Sequence, residues 1–188
     1  MRWFWIDRFV EFESGRRATA IKNISLVEEQ MDEYLPGCPV MPASLIVEGL
    51  AQTGGILVGE HNQFRERVVL AKVARATFHQ PAVPGDTLRY TVTADDIRDT
   101  GAICHGTSHC DDRLQAEVEL VFAHLDDRFQ GVDLFQPTDL LRTLRVWRVF
   151  EVGRDAKGRP LTIPPHLLDA EVADRPPAAP AAEPTRLR

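Results

Sequence analysis

The chain contains few cysteines, with three among 188 residues. An odd number this small does not suggest a framework of disulfide bonds. Because proteins without such a framework are typical of reducing compartments, we predict a cytoplasmic location.

Long apolar runs and an excess of positive charge are also absent. No stretch reaches the roughly 18 apolar residues of a membrane-spanning helix, so we predict no membrane span. The apolar residues Trp3–Ile6 are too few for the core of a signal peptide, and we expect none. The net charge of −6 at pH 7 gives no reason to expect nucleic acid as a partner.

Residues 34–52 contain the strongest local signals in the chain. Prolines and a glycine at the start of this region exclude a regular helix or a central strand there. Pro42 suits the first helical position, where its missing N–H costs nothing. The following residues are mostly apolar or small, and Gly59 is a typical C-terminal stop. We therefore predict a buried helix over residues 43–58.

Glu48 is the one charged residue in this apolar helix. A buried carboxylate without a partner is costly, so Glu48 is either satisfied by a neighbour or functional. Gln52 follows one turn later and can hydrogen-bond to it. Three glycines (Gly49, Gly54 and Gly55) each cost about 1 kcal/mol relative to alanine in a helix. We expect close packing against another backbone as compensation, either a sheet or a second copy of the helix.

The remaining periodicity is that of β-strands. Two alternating segments, residues 6–13 and 17–24, flank the turn Ser14–Arg16 and predict a hairpin. Four more strand segments follow the helix, at residues 68–78, 88–94, 102–110 and 114–122. Several short strands around one buried helix predict an α+β fold, with the sheet wrapped on the helix.

Residues 34–52 match a known family motif without a gap at Pro36, Gly37, Pro39, Met41, Pro42, Leu45, Glu48, Ala51 and Gln52. Two further segments match in order, the hairpin at residues 7–24 and the turn Phe78–Asp86. On these residues the chain resembles the 3-hydroxyacyl-acyl-carrier-protein dehydratases of fatty-acid synthesis, which have the hotdog fold. The resemblance covers roughly residues 5–125. It implies a hotdog domain over residues 1–126, with an antiparallel sheet wrapped around one long central helix.

The resemblance implies a lyase that removes water from a 3-hydroxyacyl thioester. In that family a histidine takes the proton from C2, and a helix carboxylate of the partner subunit acts on the leaving hydroxyl group. The carboxylate position is Glu48, with Gln52 as its support. The N–H groups of Ala43 and Ser44 would polarise the thioester carbonyl. The implied partners are an acyl carrier protein or coenzyme A thioester and further copies of the chain, as a homodimer or higher homo-oligomer.

The chain departs from the family at the catalytic histidine, whose position holds Tyr34. A histidine suits the reaction because its pKa lies near neutral pH. A phenol with a pKa of about 10 is almost wholly protonated at neutral pH, so it donates a proton but accepts one poorly. Either Glu48 becomes the base with Tyr34 as the acid, or the dehydratase chemistry is lost.

Three functional hypotheses therefore stay open. The first is a dehydratase that is altered at its catalytic base. The second is an acyl thioesterase in which Glu48 activates water or attacks the thioester. The third is a non-catalytic protein that binds acyl chains, or serves as the inactive partner in a heteromer with a paralogue that keeps the histidine.

Beyond about residue 126 the resemblance ends. We predict an extension of unknown fold over residues 127–173, and a disordered tail over residues 174–188, which are rich in proline, alanine and charge. Residues 138–150 fit a helix, although residues 146–152 fit a strand equally well. The row Arg142, Arg145 and Arg148 is either a solvated face or a surface for an acidic acyl carrier protein.

One cluster of cysteine and histidine raises the question of a metal site: Cys104, His105, His109 and Cys110. On a strand, side chains alternate, so the cysteines would face one side and the histidines the other. The two histidines would also lie about 13 Å apart. We therefore predict neither a metal site nor a cofactor.

Overall fold

A computed structural model describes residues 3–125 and 136–174 of the chain, apart from the side chain of Asp32. Its strands are β1 (Arg8–Glu13), β2 (Arg17–Asn23), β3 (Arg67–Phe78), β4 (Thr87–Arg98), β5 (Gly101–Cys110), β6 (Arg113–Leu125) and β7 (Gly153–Arg154). Its helices are α1 (Gln30–Glu33), α2 (Ala43–His61), α3 (Pro137–Val146), α4 (Val149–Val152) and α5 (Pro165–Ala173).

The strands form one sheet in the order β3-β6-β5-β4-β2-β1-β7. Neighbouring strands pair antiparallel, except for a short parallel pairing of β1 with β7. The six predicted strands are all present, and their ends differ from the prediction by a few residues. The largest difference is in β4, which extends to Arg98 because its pairing with β5 continues as far as Gly101.

Helix α2 packs against the sheet, and its apolar side chains form the centre of the core. Leu50 and Leu57 are fully buried there together with Tyr90 of β4. A Cβ added at Gly49 would lie only 2.4 Å from the ring of Tyr90, and one at Gly54 only 2.9 Å from the ring of Phe122. The glycines therefore let the helix approach the sheet closely, and the partners are mainly aromatic side chains of the sheet.

The helix ends later than its sequence predicts. Gly59 was expected as the C-terminal stop, but it is buried and helical, and α2 continues to His61. A Cβ at Gly59 would lie 3.2 Å from the ring of Phe64, so packing accounts for this glycine. The left-handed backbone that ends the helix lies further on, at Gln63 and Phe64.

The described part of the extension, residues 136–174, packs against the start of the chain. The carbonyl of Trp147 accepts a hydrogen bond from the N–H of Phe9 at 2.9 Å. The strand alternative for residues 146–152 is wrong, because α4 is helical and only β7 pairs with β1. Helix α5 was not predicted.

Two expectations lie outside the described residues. They are the domain boundary near residue 126 and, apart from Asp174, the disordered tail over residues 174–188. Among the described residues, no helix combines the length and the apolar character needed to cross a membrane.

Candidate functional site

Glu48 lies half-buried on helix α2, and a neighbour satisfies its carboxylate. The side-chain amide of Gln52, one turn later, donates a hydrogen bond to Oε1 of Glu48 at 3.1 Å. The pairing expected from their spacing is therefore present. It holds the carboxylate in one orientation on the helix face.

The N-terminal segment fixes Gln52 in turn. Nε2 of Gln52 also donates to the carbonyl of Trp3 at 2.7 Å, and Oε1 of Gln52 accepts from the backbone N–H of Trp5 at 2.9 Å. Both ends of the amide are used. No sequence pattern predicts this contact, because the partners are separated by 47 and 49 residues and use backbone groups.

A cavity of about 230 Å³ opens beside Glu48. Its wall contains Glu48 and Gln52, and most of the remaining lining is apolar, from α2, the sheet and the extension: Ala51, Gly55, Ile56, Gly59, Phe64, Glu66, Val68, Leu70, Phe122, Leu140 and Trp147. A mostly apolar cavity with an oriented carboxylate such as Glu48 in its wall can bind an apolar chain and present an acid or base to its polar end.

A second cavity, of about 320 Å³, lies at the start of α2. Ala43 lines it, and so do His79 and Gln115. The backbone N–H groups of Ala43 and Ser44 belong to the first helical turn, where N–H groups have no partner within the helix. Oε1 of Gln115 is buried without a hydrogen-bond partner among the described residues. The start of α2 therefore places backbone N–H donors beside this cavity.

His79 is an exposed residue that also lines this cavity, a role that no sequence pattern predicted. Its side chain is 39% exposed, and Nε2 lies 3.0 Å from a carboxylate oxygen of Glu117. His79 directly follows β3 and Glu117 stands on β6, so no sequence spacing links them.

The structure brings together only two of the residues predicted for the site. Glu48 and Gln52 share the first cavity, whereas Ala43 lines the second and Ser44 is exposed. Tyr34 lies between α1 and α2, is 58% exposed and lines neither cavity. Within one chain, Tyr34 is therefore not part of the cavity that holds Glu48.

The cysteines and histidines of β5 do not converge. Cys104 and Cys110 are buried, and burial raises the pKa of the Cys104 thiol to about 12. His105 lies on the outer face, 2.7 Å from a carboxylate oxygen of Asp95. In the part of the chain that the structure describes, no three His, Cys, Asp or Glu side chains are grouped to hold a metal ion.

The arginine row of the extension is matched by carboxylates of the same chain. Arg142 lies 3.2 Å from Asp139, and Arg148 lies 2.6 Å from Glu151. Arg145 pairs with both carboxylate oxygens of Glu171. The row therefore carries little net positive charge for an acidic partner.

The chain is similar to known proteins in sequence and in fold. A family model described as a FabA-like domain matches residues 3–121. The 3-hydroxyacyl-[acyl-carrier-protein] dehydratase FabZ of Thermomicrobium roseum is 39% identical over 122 residues, which are 64% of this chain and 82% of that protein.

Solved structures resemble the fold at low sequence identity. The dehydratase heterocomplex ApeI:P of Xenorhabdus doucetiae has a TM-score of 0.56 at 13% identity, covering 66% of this chain and 85% of that one. A Streptococcus mutans protein bound to acetyl CoA has a TM-score of 0.54 at 14% identity, covering 66% of this chain and 93% of that one. The likeness confirms the predicted α+β hotdog fold.

Proposed function

Because the chain belongs to the family of FabA-like domains, we propose that it acts on 3-hydroxyacyl thioesters as a dehydratase altered at its catalytic base. The observation that carries the proposal is the setting of Glu48. Gln52 orients its carboxylate at the edge of an apolar cavity. The cavity suits an acyl chain, and the carboxylate stands where the polar end of that chain would enter.

The reaction needs one group to take a proton from C2 and another to protonate the hydroxyl leaving C3. In this proposal the Glu48 carboxylate takes the C2 proton. The Tyr34 phenol donates a proton to the hydroxyl group, which leaves as water, and the double bond forms between C2 and C3. The N–H groups of Ala43 and Ser44 stabilise the charge that develops on the thioester oxygen.

The site that we propose is shared between two chains, because Tyr34 lies outside the cavity of Glu48 in its own chain. Strand β3 stands at the edge of the sheet, with Leu70, Val73 and Phe78 exposed. An exposed apolar edge strand is suited to pairing with another chain. The second chain is another copy in a homodimer or higher homo-oligomer, or a paralogue that retains the histidine.

The proposed substrate is carried by an acyl carrier protein or by coenzyme A. The FabZ relatives are named for acyl-carrier-protein substrates, and one structural neighbour was solved with acetyl CoA. The three cysteines Cys38, Cys104 and Cys110 are free, which suits the reducing cytoplasm where we place the reaction.

A second candidate is a non-catalytic subunit, and the exposed position of Tyr34 favours it. In a heteromer, a histidine from the paralogue would meet Glu48 of this chain and form one complete site. The site with Tyr34 would be weak or inactive. ApeI:P, a structural neighbour of this chain, is itself a dehydratase heterocomplex.

The test measures enoyl product from a 3-hydroxyacyl thioester with the native chain, Tyr34→His, Glu48→Gln, the double variant of these two, and one control variant. We expect slow product formation by the native chain and a rise of about 10²–10⁴-fold for Tyr34→His, the usual range for a positioned general acid or base. Glu48→Gln should abolish product formation, both as a single substitution and when it is combined with Tyr34→His. Gln63→Ala, an exposed position after α2, is the control and should behave as the native chain.

Thiol release is followed in the same reactions, because it reports hydrolysis. Release that depends on Glu48 without enoyl product would identify a thioesterase and contradict the proposed dehydration. Absence of both products, with no gain from Tyr34→His, would favour the non-catalytic subunit.

A further inference from the structure

Residues outside the family domain complete the cavity beside Glu48. Leu140 of α3 and Trp147, directly after that helix, line the cavity, whereas the family model matches residues 3–121. Both side chains are nearly buried, with 7% and 5% of their surface exposed. The extension therefore closes a side of the cavity that the family domain alone leaves open.

The cavity follows one face of α2. Glu48, Gln52, Gly55 and Gly59 line it at the spacing of a single helix face. Glu48 and Gly59 are eleven residues apart, which corresponds to about 16 Å of helix. An apolar chain that enters beside Glu48 must therefore lie along the helix, between walls that include Leu140 and Trp147.

Trp147 is held from several sides. Its ring packs against Phe4 at a centroid distance of 4.9 Å and against Phe9 at 6.3 Å. Its carbonyl accepts the N–H of Phe9, and its own N–H donates to the carbonyl of Thr143, both at 2.9 Å. Contacts of both the ring and the backbone therefore hold Trp147 in its place in the cavity wall.

The cavity is small for a ligand site. At about 230 Å³ it is smaller than the roughly 300–1,000 Å³ of most ligand pockets. A short acyl chain therefore fits it better than a long one.

We propose that Trp147 and Leu140, which wall the cavity, restrict this protein to short acyl chains. The inference rests on the proposed function, because it requires an acyl chain in the cavity beside Glu48. Both residues determine specificity by contact with the apolar part of the ligand. They take no part in the proton transfers.

The test is calorimetric titration of the full chain with butyl, octyl and dodecyl thioethers of pantetheine. Unlike thioesters, these ligands have no acyl bond that could be hydrolysed. The native chain should bind the octyl ligand most tightly and the dodecyl ligand about tenfold more weakly. Trp147→Ala opens the wall, so the dodecyl ligand should bind at least as tightly as the octyl ligand. Val146→Ala, at a 59% exposed position of α3, is the control and should keep the native order.

A second variant covers the case in which Trp147→Ala does not fold. Leu140→Trp narrows the cavity, so octyl binding should fall by about tenfold while butyl binding is kept. If both variants bind the thioethers in the same order of affinity as the native chain, the proposed role of the extension is wrong, while the proposed function still stands. No binding of any thioether by the native chain would overturn the proposed function as well.

Discussion

At the scale of residues, the site depends on the side-chain amide of Gln52, whose nitrogen and oxygen are both hydrogen-bonded. Gln52 donates to Glu48 and to the carbonyl of Trp3, and it accepts from the N–H of Trp5. A carboxylate on an apolar helix is costly unless it is hydrogen-bonded, and this contact lowers that cost. Glu48 is therefore compatible with the stability of the fold while it remains at the edge of a cavity.

Gly49, the neighbour of Glu48, is required by packing. A Cβ there would lie 2.4 Å from the Tyr90 ring and 2.9 Å from the carbonyl of Trp5. Gly49→Ala should therefore lower the free energy of unfolding by about 1–3 kcal/mol, as overpacking does. The measurement is urea unfolding.

Gly55 provides the matched control on the same helix. The nearest atom to a Cβ at Gly55 is 3.7 Å away, in ordinary contact distance. Gly55→Ala should raise the free energy of unfolding by about 0.5–1 kcal/mol, because alanine has the higher helix propensity. Equal effects of the two substitutions would contradict the packing explanation for Gly49.

At the scale of elements, the regular parts of the fold could be predicted because their patterns are local. Alternation identified β1, β2 and β4, the turns between segments bounded the other long strands, and the apolar run after Pro42 identified α2. The end of α2 was missed because Gly59 is used for packing against Phe64 rather than for a left-handed turn. Helix α5 was missed because it buries one apolar side chain fully, Leu167, and so shows no clear stripe.

One part of the candidate site could be predicted from the sequence and the other could not. The pair Glu48 and Gln52 could be predicted from a spacing of one helical turn. The wall formed by Leu140 and Trp147 could not, because it depends on how residues far apart in the sequence pack together. Phe4 and Trp147 meet through aromatic contact, and no local pattern encodes that pairing.

The docking of the extension can be tested through Leu144 of α3. This side chain is fully buried, so Leu144→Ala should lower the free energy of unfolding by about 2–5 kcal/mol. Leu168→Ala, at a 38% exposed position of α5, should change it by no more than about 0.5 kcal/mol. The measurement is the midpoint temperature of thermal unfolding. If Leu144→Ala lowered it as little as Leu168→Ala does, α3 would not be packed as described.

At the scale of the whole molecule, the proposed site requires two chains. Tyr34 and Glu48 occupy separate places within one chain, and the edge strand β3 presents apolar side chains to a partner. In a homodimer, each site would combine Tyr34 of one copy with Glu48 of the other. In a heteromer, a histidine-bearing paralogue would restore one of the two sites.

Mixing two forms of this chain tests the shared site most directly. The double variant Tyr34→His, Glu48→Gln has the histidine but no carboxylate, and the native chain has the carboxylate but no histidine. Unfolded together and refolded as a mixture, they should form enoyl product about 10²-fold or more faster than either form alone. A rate no higher than the sum of the separate forms would contradict a site in which position 34 of one chain acts with Glu48 of another.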